Sequence, residues 1–120
     1  YARTEEWLIV IDNVWKKDHY SFEGKYYQVN DNVLQPKPLT QPRPFIYAGG
    51  ESERAKDLIS SQCDGYVMHG DSPELIGRRI ADMQERRDKK GLPPMQYGVA
   101  AYSIIRNTEA EVKKELERIT

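Results

Sequence analysis

The segment Pro44-Phe45-Ile46-Tyr47-Ala48-Gly49-Gly50-Glu51-Ser52-Glu53-Arg54-Ala55 carries the clearest chemical signal in the chain. A short apolar run, led in by proline, stops at a double glycine and passes straight into a helix-forming segment. Strand, tight turn and helix N-terminus in that order leave N–H groups free at the positive end of a helix dipole. Such a place favours an anion, phosphate above all. Glycine lets the anion approach the backbone because no Cβ stands in the way. A double glycine after a strand also serves as a plain tight turn, and the segment alone leaves both readings open.

A second group able to do chemistry is His69, at the end of the apolar run Gly65-Tyr66-Val67-Met68-His69. An imidazole titrates near neutrality, so it can donate a hydrogen bond or move a proton; it can equally be a polar cap on a strand end. Cys63 reads as a small buried hydrophobe and His19 as chemically idle. Arg78, Arg79 and the run Glu85-Arg86-Arg87-Asp88-Lys89-Lys90 read as a solvated helix face. No spacing of Cys, His and carboxylates points to a metal.

The elements that must position these groups follow from periodicity. Trp7, Leu8, Ile11, Val14 and Trp15 recur at helical spacing between Thr4 and Lys17. Tyr20-Ser21-Phe22 and Tyr26-Tyr27-Gln28-Val29 alternate around Glu23-Gly24-Lys25, which predicts a β-hairpin. Pro36, Pro38, Pro42 and Pro44 keep the next stretch extended. The pattern then turns regular. Strands are expected at 45–48, 65–69 and 97–105, each followed by a helix. The helices start at Ser52, at Ser72-Pro73-Glu74 and at the capping box Thr108-Glu109-Ala110-Glu111, the last with Val112, Leu116 and Ile119 inward.

Strands alternating with helices predict a parallel sheet with helices outside it. The fold expected is α/β: a segment of a (β/α)8 TIM barrel, about strands five to seven, with a β-hairpin insertion. Its parts are a helix over 1–17, the hairpin and Pro-rich insertion over 18–44, and three βα units over 45–120. A closed barrel takes about 250 residues, so 120 supply part of one. The chain opens without methionine and stops at the end of a helical pattern, and it reads as a piece of a larger protein.

Composition narrows the function classes. A net charge of −1 and a charged fraction of 31% give no basic surface for nucleic acid and no charged tail. One cysteine rules out an internal disulfide framework and suits a reducing compartment. Without an apolar stretch near the ~18 residues of a membrane span, the expected location is the cytoplasm.

Tyr1-Ala2-Arg3-Thr4-Glu5-Glu6, Phe22-Glu23-Gly24-Lys25-Tyr26-Tyr27, Pro36-Lys37-Pro38 and Pro42-Arg43-Pro44 carry a further signal. So do Tyr47-Ala48-Gly49-Gly50-Glu51-Ser52 and Asp64-Gly65-Tyr66-Val67-Met68-His69-Gly70-Asp71. In this order the set resembles the bacterial luciferase-like flavin monooxygenases, in particular the branch acting on alkanesulfonates and dimethyl sulfone. The resemblance implies a TIM barrel that takes reduced FMN from a separate NAD(P)H-dependent flavin reductase. With O2 it would split a carbon–sulfur bond of a small organosulfur substrate, dimethyl sulfone giving methanesulfinate and formaldehyde. It also implies a homo-oligomer, and a chain of this length inactive alone.

The same resemblance assigns Gly49, Gly50, Glu51 and Ser52 to the loop beneath the flavin phosphate. Backbone N–H groups and the Ser52 hydroxyl would donate, Glu51 would point away, and Arg54 would supply countercharge or pair with Glu51 or Asp57. Tyr1 matches a phosphate-contacting tyrosine. His69 and Tyr102 are the candidates for catalysis. In Gly98-Val99-Ala100-Ala101-Tyr102, alanine and tyrosine stand where the alkanesulfonate enzymes have arginine and histidine. Losing an arginine fork argues for a neutral substrate, which a sulfone is. Alternatives left open are an alkanesulfonate monooxygenase, an oxidoreductase using the deazaflavin F420, and a barrel that binds flavin without turnover.

Overall fold

The structure is a computed structural model that describes residues 1–120. Helix α1 (Ala2–Lys16) leads into a hairpin of β1 (Tyr20–Glu23) and β2 (Gln28–Asn32). The chain then alternates through β3 (Tyr47–Ala48), α2 (Glu53–Gln62), β4 (Gly65–His69), α3 (Pro73–Lys89), β5 (Gln96–Ala100) and α4 (Glu109–Ile119). β3, β4 and β5 pair in parallel and in chain order, as expected for consecutive units of a barrel.

Local chemistry sets the helix starts. Ser52 and Ser72 each accept the N–H three residues on, from Ala55 and Leu75, and Pro73 opens α3 where its missing N–H costs nothing. Thr108 and Glu111 form the reciprocal capping box of α4.

The core lies between the sheet and its helices. Leu8 of α1, Ala55 and Ile59 of α2, Met83 of α3 and Met95 before β5 close over Cys63, Tyr66 and Met68. From Tyr66 to the end of β4 the two faces alternate. Tyr66 and Met68 face the helices and are buried, while Val67 and His69 face the opposite side and are exposed. Cys63 is 1% exposed, the small core residue its sequence context suggested.

One residue ties the three strands together where they begin. The Asp64 carboxylate accepts the Ile46 N–H at 2.9 Å and takes both ends of the Arg43 guanidinium, with Nη2 at 3.0 Å from Oδ1. Its own N–H donates to the Ile46 carbonyl at 2.9 Å, and its carbonyl accepts from Gln96 at 3.0 Å. Arg43 also bonds Asp12 of α1, so the Pro-rich segment is fastened to helix and sheet at once. The hairpin is anchored separately. Glu6 of α1 accepts the N–H groups of Lys25, Tyr26 and Tyr27, closing the turn with one carboxylate.

Three expectations need correction at their edges. β3 comprises two residues rather than 45–48, because Pro44 precedes it and it forms a sheet edge. β5 ends at Ala100 although the apolar run continues to Ile105. It is the opposite sheet edge, with no strand beyond to pair 101–105. For the same reason α4 buries nothing: Leu116 and Ile119, expected inward, are 48% and 56% exposed. A barrel helix is buried by the groove between two neighbouring strands, and α4 lies beyond the sheet edge that β5 forms.

Although its partial burial would raise it, the Asp64 pKa is held below the usual carboxylate value by Arg43 and the Ile46 N–H. A depressed folded-state pKa contributes stability above the unfolded value of about 3.9, lost as pH falls through the lower folded value. Asp64→Asn in the complete protein should therefore cost about 1–3 kcal/mol at pH 7. It should also flatten the loss of stability below about pH 4. Urea unfolding at pH 7 and across pH 3–5 (roughly the carboxylate range) checks both; an unchanged midpoint would show that the bridge is dispensable.

Candidate functional site

The double glycine sits in a turn with no spare room. A Cβ on Gly49 would lie 3.0 Å from the Val67 carbonyl oxygen, and one on Gly50 would lie 2.7 Å from the Ala55 Cβ. The turn therefore lies flush against β4 on one side and the first turn of α2 on the other. The N–H groups of Glu51, Ser52, Glu53 and Arg54 donate to no group of the chain. The Ser52 hydroxyl accepts the Ala55 N–H at 3.2 Å and donates to the Tyr1 hydroxyl at 2.9 Å. Tyr1 and Ser52, far apart in sequence, thus present adjacent hydroxyls beside a row of unpaired donors.

The charged neighbours lie to either side. The Glu51 carboxylate reaches toward Arg79 of α3, 3.9 Å away, and Arg79 holds Asp71 more closely at 3.1 Å. Arg54 is exposed on the first turn of α2 and joins no ion pair. Asp57, its suggested partner, is bonded to Arg86 instead. Arg54 shares a shallow groove with Tyr1 on the outer side of the turn.

Beneath the turn stands Tyr66. Its ring is 1% exposed, and its hydroxyl donates to the Gly50 carbonyl at 3.0 Å. Burial pushes the phenol pKa up, so the group stays a donor through the physiological range.

On the other side the turn opens into a cleft of about 520 Å³ lined by Gly49, Gly50, Glu51, Val67, Met68, His69 and Ala100. His69 and Ala100 are register partners at the C-terminal ends of β4 and β5, and both face this cleft. Gly70 donates to the Ala100 carbonyl at 2.8 Å and holds the two strand ends together. The His69 imidazole is exposed and hydrogen-bonded to nothing in the chain, leaving both ring nitrogens available. Glu51 and His69 are the only titratable side chains in the lining.

Tyr102 is elsewhere. It lies two residues past the end of β5, fully exposed and without a hydrogen bond, and the structure does not bring it to the cleft. His19 pairs with Asp31 on the hairpin at 2.8 Å. A second cleft of about 390 Å³, between α1 and β3–α2, is lined by Trp7, Ile11, Trp15, Phe45 and Leu58 among others and has no charged side chain. It has the apolar character of a packing face.

Two residues of this neighbourhood escape a sequence reading. Tyr66 looks like one more member of an apolar run; the signal was that a phenol at a buried strand position needs a partner for its hydroxyl. Arg79 looks like part of a solvated helix face, yet it joins the loops that follow β3 and β4. Nothing in its spacing marks that role.

Comparison with known proteins agrees with this architecture. The family model described as luciferase-like monooxygenase matches residues 1–120. An FMNH2-dependent dimethylsulfone monooxygenase of Pseudomonas putida is 37% identical over 119 residues, which are 99% of this chain and 32% of that protein. The chain thus spans about a third of the length of the curated relatives it matches. Among solved structures, a riboflavin lyase superposes with a TM-score of 0.84 over 97% of this chain and 31% of its own, at 13% identity. An EDTA monooxygenase from Chelativorans sp. BNC1 superposes at 0.81 over 95% of this chain and 33% of its own, at 21% identity. At those identities the superpositions speak for the fold, a segment of a luciferase-like TIM barrel. The sequence match across its whole length makes the chain a member of the luciferase-like monooxygenase family.

Proposed function

We propose that this chain forms the phosphate-binding and rim portion of a monooxygenase that uses reduced FMN to cleave a carbon–sulfur bond of dimethyl sulfone. The observation that carries the reading is the Gly49–Gly50 turn. The turn that carries the unpaired donors beside the Tyr1–Ser52 hydroxyl pair also contributes Gly49, Gly50 and Glu51 to the cleft that His69 and Ala100 face. The donor set fits a phosphate monoester: backbone N–H groups at a helix N-terminus, two hydroxyls, and a turn too close-packed for a Cβ. Arg54 on the outer side adds countercharge, and Arg79 draws the Glu51 carboxylate away from the anion.

When bound, the reduced flavin supplies the two electrons with which O2 is activated. The chain's own groups bind and orient. The turn fixes the phosphate end, and Val67 and Ala100 keep the cleft wall small and apolar. The His69 imidazole holds or delivers a proton at the strand ends. A sulfonate anion would meet Glu51 and neither arginine nor lysine in this lining, whereas a neutral sulfone carries no charge to be offset. That asymmetry favours the sulfone over the alkanesulfonate reading. Dimethylsulfone monooxygenases are also the curated relatives at 37% and 34% identity. Reduced flavin would come from a separate NAD(P)H-dependent reductase, and the working enzyme would be a homo-oligomer.

The direct test supplies the complete protein with dimethyl sulfone, O2 and enzymatically reduced FMN and measures formaldehyde. Release in step with sulfone consumption is expected; none from a protein that binds reduced FMN would overturn the assigned substrate. Tyr1→Phe should weaken FMN binding about three- to tenfold through one lost hydrogen bond. Because Tyr1 is 56% exposed, thermal stability should barely change. Fluorescence titration beside a melting curve distinguishes this from general damage. Ala100→Arg should lower sulfone turnover and admit short alkanesulfonates; a rise in sulfone turnover would sink the argument from substrate neutrality.

A further inference from the structure

We infer that Tyr66 is a positioning residue for the phosphate-binding turn, setting how strongly the site selects a phosphorylated flavin over an unphosphorylated one. The inference rests on the reading of Gly49–Gly50 as a phosphate turn. The Tyr66 hydroxyl is the only group of the chain that donates to the Gly50 carbonyl, at 3.0 Å from inside the core. The Gly50–Glu51 peptide is trans, so its C=O and N–H point in opposite directions. Holding the carbonyl toward the Tyr66 hydroxyl in the core therefore turns the Glu51 N–H away from it, where it donates to no group of the chain. Without that bond nothing else in the chain fixes the peptide plane between half-buried Gly50 and exposed Glu51, and glycine itself offers little resistance to its rotation.

The placement of Tyr66 suits such a role. In the sheet it pairs with Ala48, the last residue of β3, so its ring rises directly beneath the turn that follows. It cannot swing away, because it is 1% exposed and belongs to the main core cluster. It is not itself part of the cleft lining and bonds none of the unpaired donors, so it acts through the Gly50 backbone it orients.

The test uses the complete protein and compares FMN with riboflavin, which lacks the phosphate, by fluorescence titration. The unsubstituted protein should bind FMN more tightly. Equal binding would remove the phosphate-turn reading itself, independently of Tyr66. If FMN is preferred, Tyr66→Phe should raise its Kd about three- to tenfold and leave that for riboflavin unchanged, so the preference shrinks. A lower melting temperature with the preference intact, or equal losses for both flavins, would make Tyr66 a core residue only and overturn the inference. Should Tyr66→Phe not fold, 2,3-difluorotyrosine at position 66 keeps the ring and donor but alters the hydrogen bond. A changed FMN-to-riboflavin ratio at constant riboflavin affinity then supports the role, and an unchanged ratio refutes it.

Discussion

The position of every functional group in this chain depends on how three short strands are aligned at their starting edge, and Asp64 sets that alignment. Its side chain and both of its backbone polar groups are engaged, binding the start of β3, the start of β5 and Arg43. Strands of two to five residues cannot hold register by length alone. A slip of one residue would exchange the two faces of β4, moving His69 into the helix layer and Tyr66 into the cleft. With the starting edge fixed, the far ends fall where they must. His69 stands beside Ala100, and the glycine turn stands beside both.

A second layer of order comes from charge on the outer face. Arg86 of α3 bonds Glu53 and Asp57 of α2 and Asp82 of its own helix, while Lys56 of α2 answers Asp82. Arg87, buried at the end of α3, donates to the carbonyls of Ser60 and Cys63 and so satisfies the C-terminus of α2. Exposed pairs of this kind contribute little singly. A connected set on two adjacent helices instead fixes their relative rotation, and with it the face that α2 turns toward Gly50.

Much of this was legible in the residues. The alternation of strands and helices, the serine and threonine caps, the hairpin and the double-glycine turn are all local patterns, and the structure has each of them, with the helix starts at the expected caps. What local pattern could not show was which elements have neighbours. The apolar residues of α4 and the run from Ala101 to Ile105 look buried in sequence, yet they lie at or beyond the edge strand β5 with no element packed over them. Tyr102 moved off the expected strand for that reason. Tyr66 and Arg79 were invisible for another: each acts on a loop distant in sequence, through bonds that no periodicity records.

The two-faced character of β4 and β5 has a consequence for how such a protein can change over generations. Positions 67 and 69, with their partners 98 and 100, lie on the open face of the sheet and contribute little to the core. Positions 66 and 68 do the reverse. Gly65 is the exception on the open face, since any side chain there would run into the Tyr47 ring. Adaptation to a new substrate and preservation of the fold therefore draw on interleaved but separate sets of codons. A lineage can wander widely in what it accepts while inheriting the same scaffold, which gives one physical basis for chemical diversification within a single architecture.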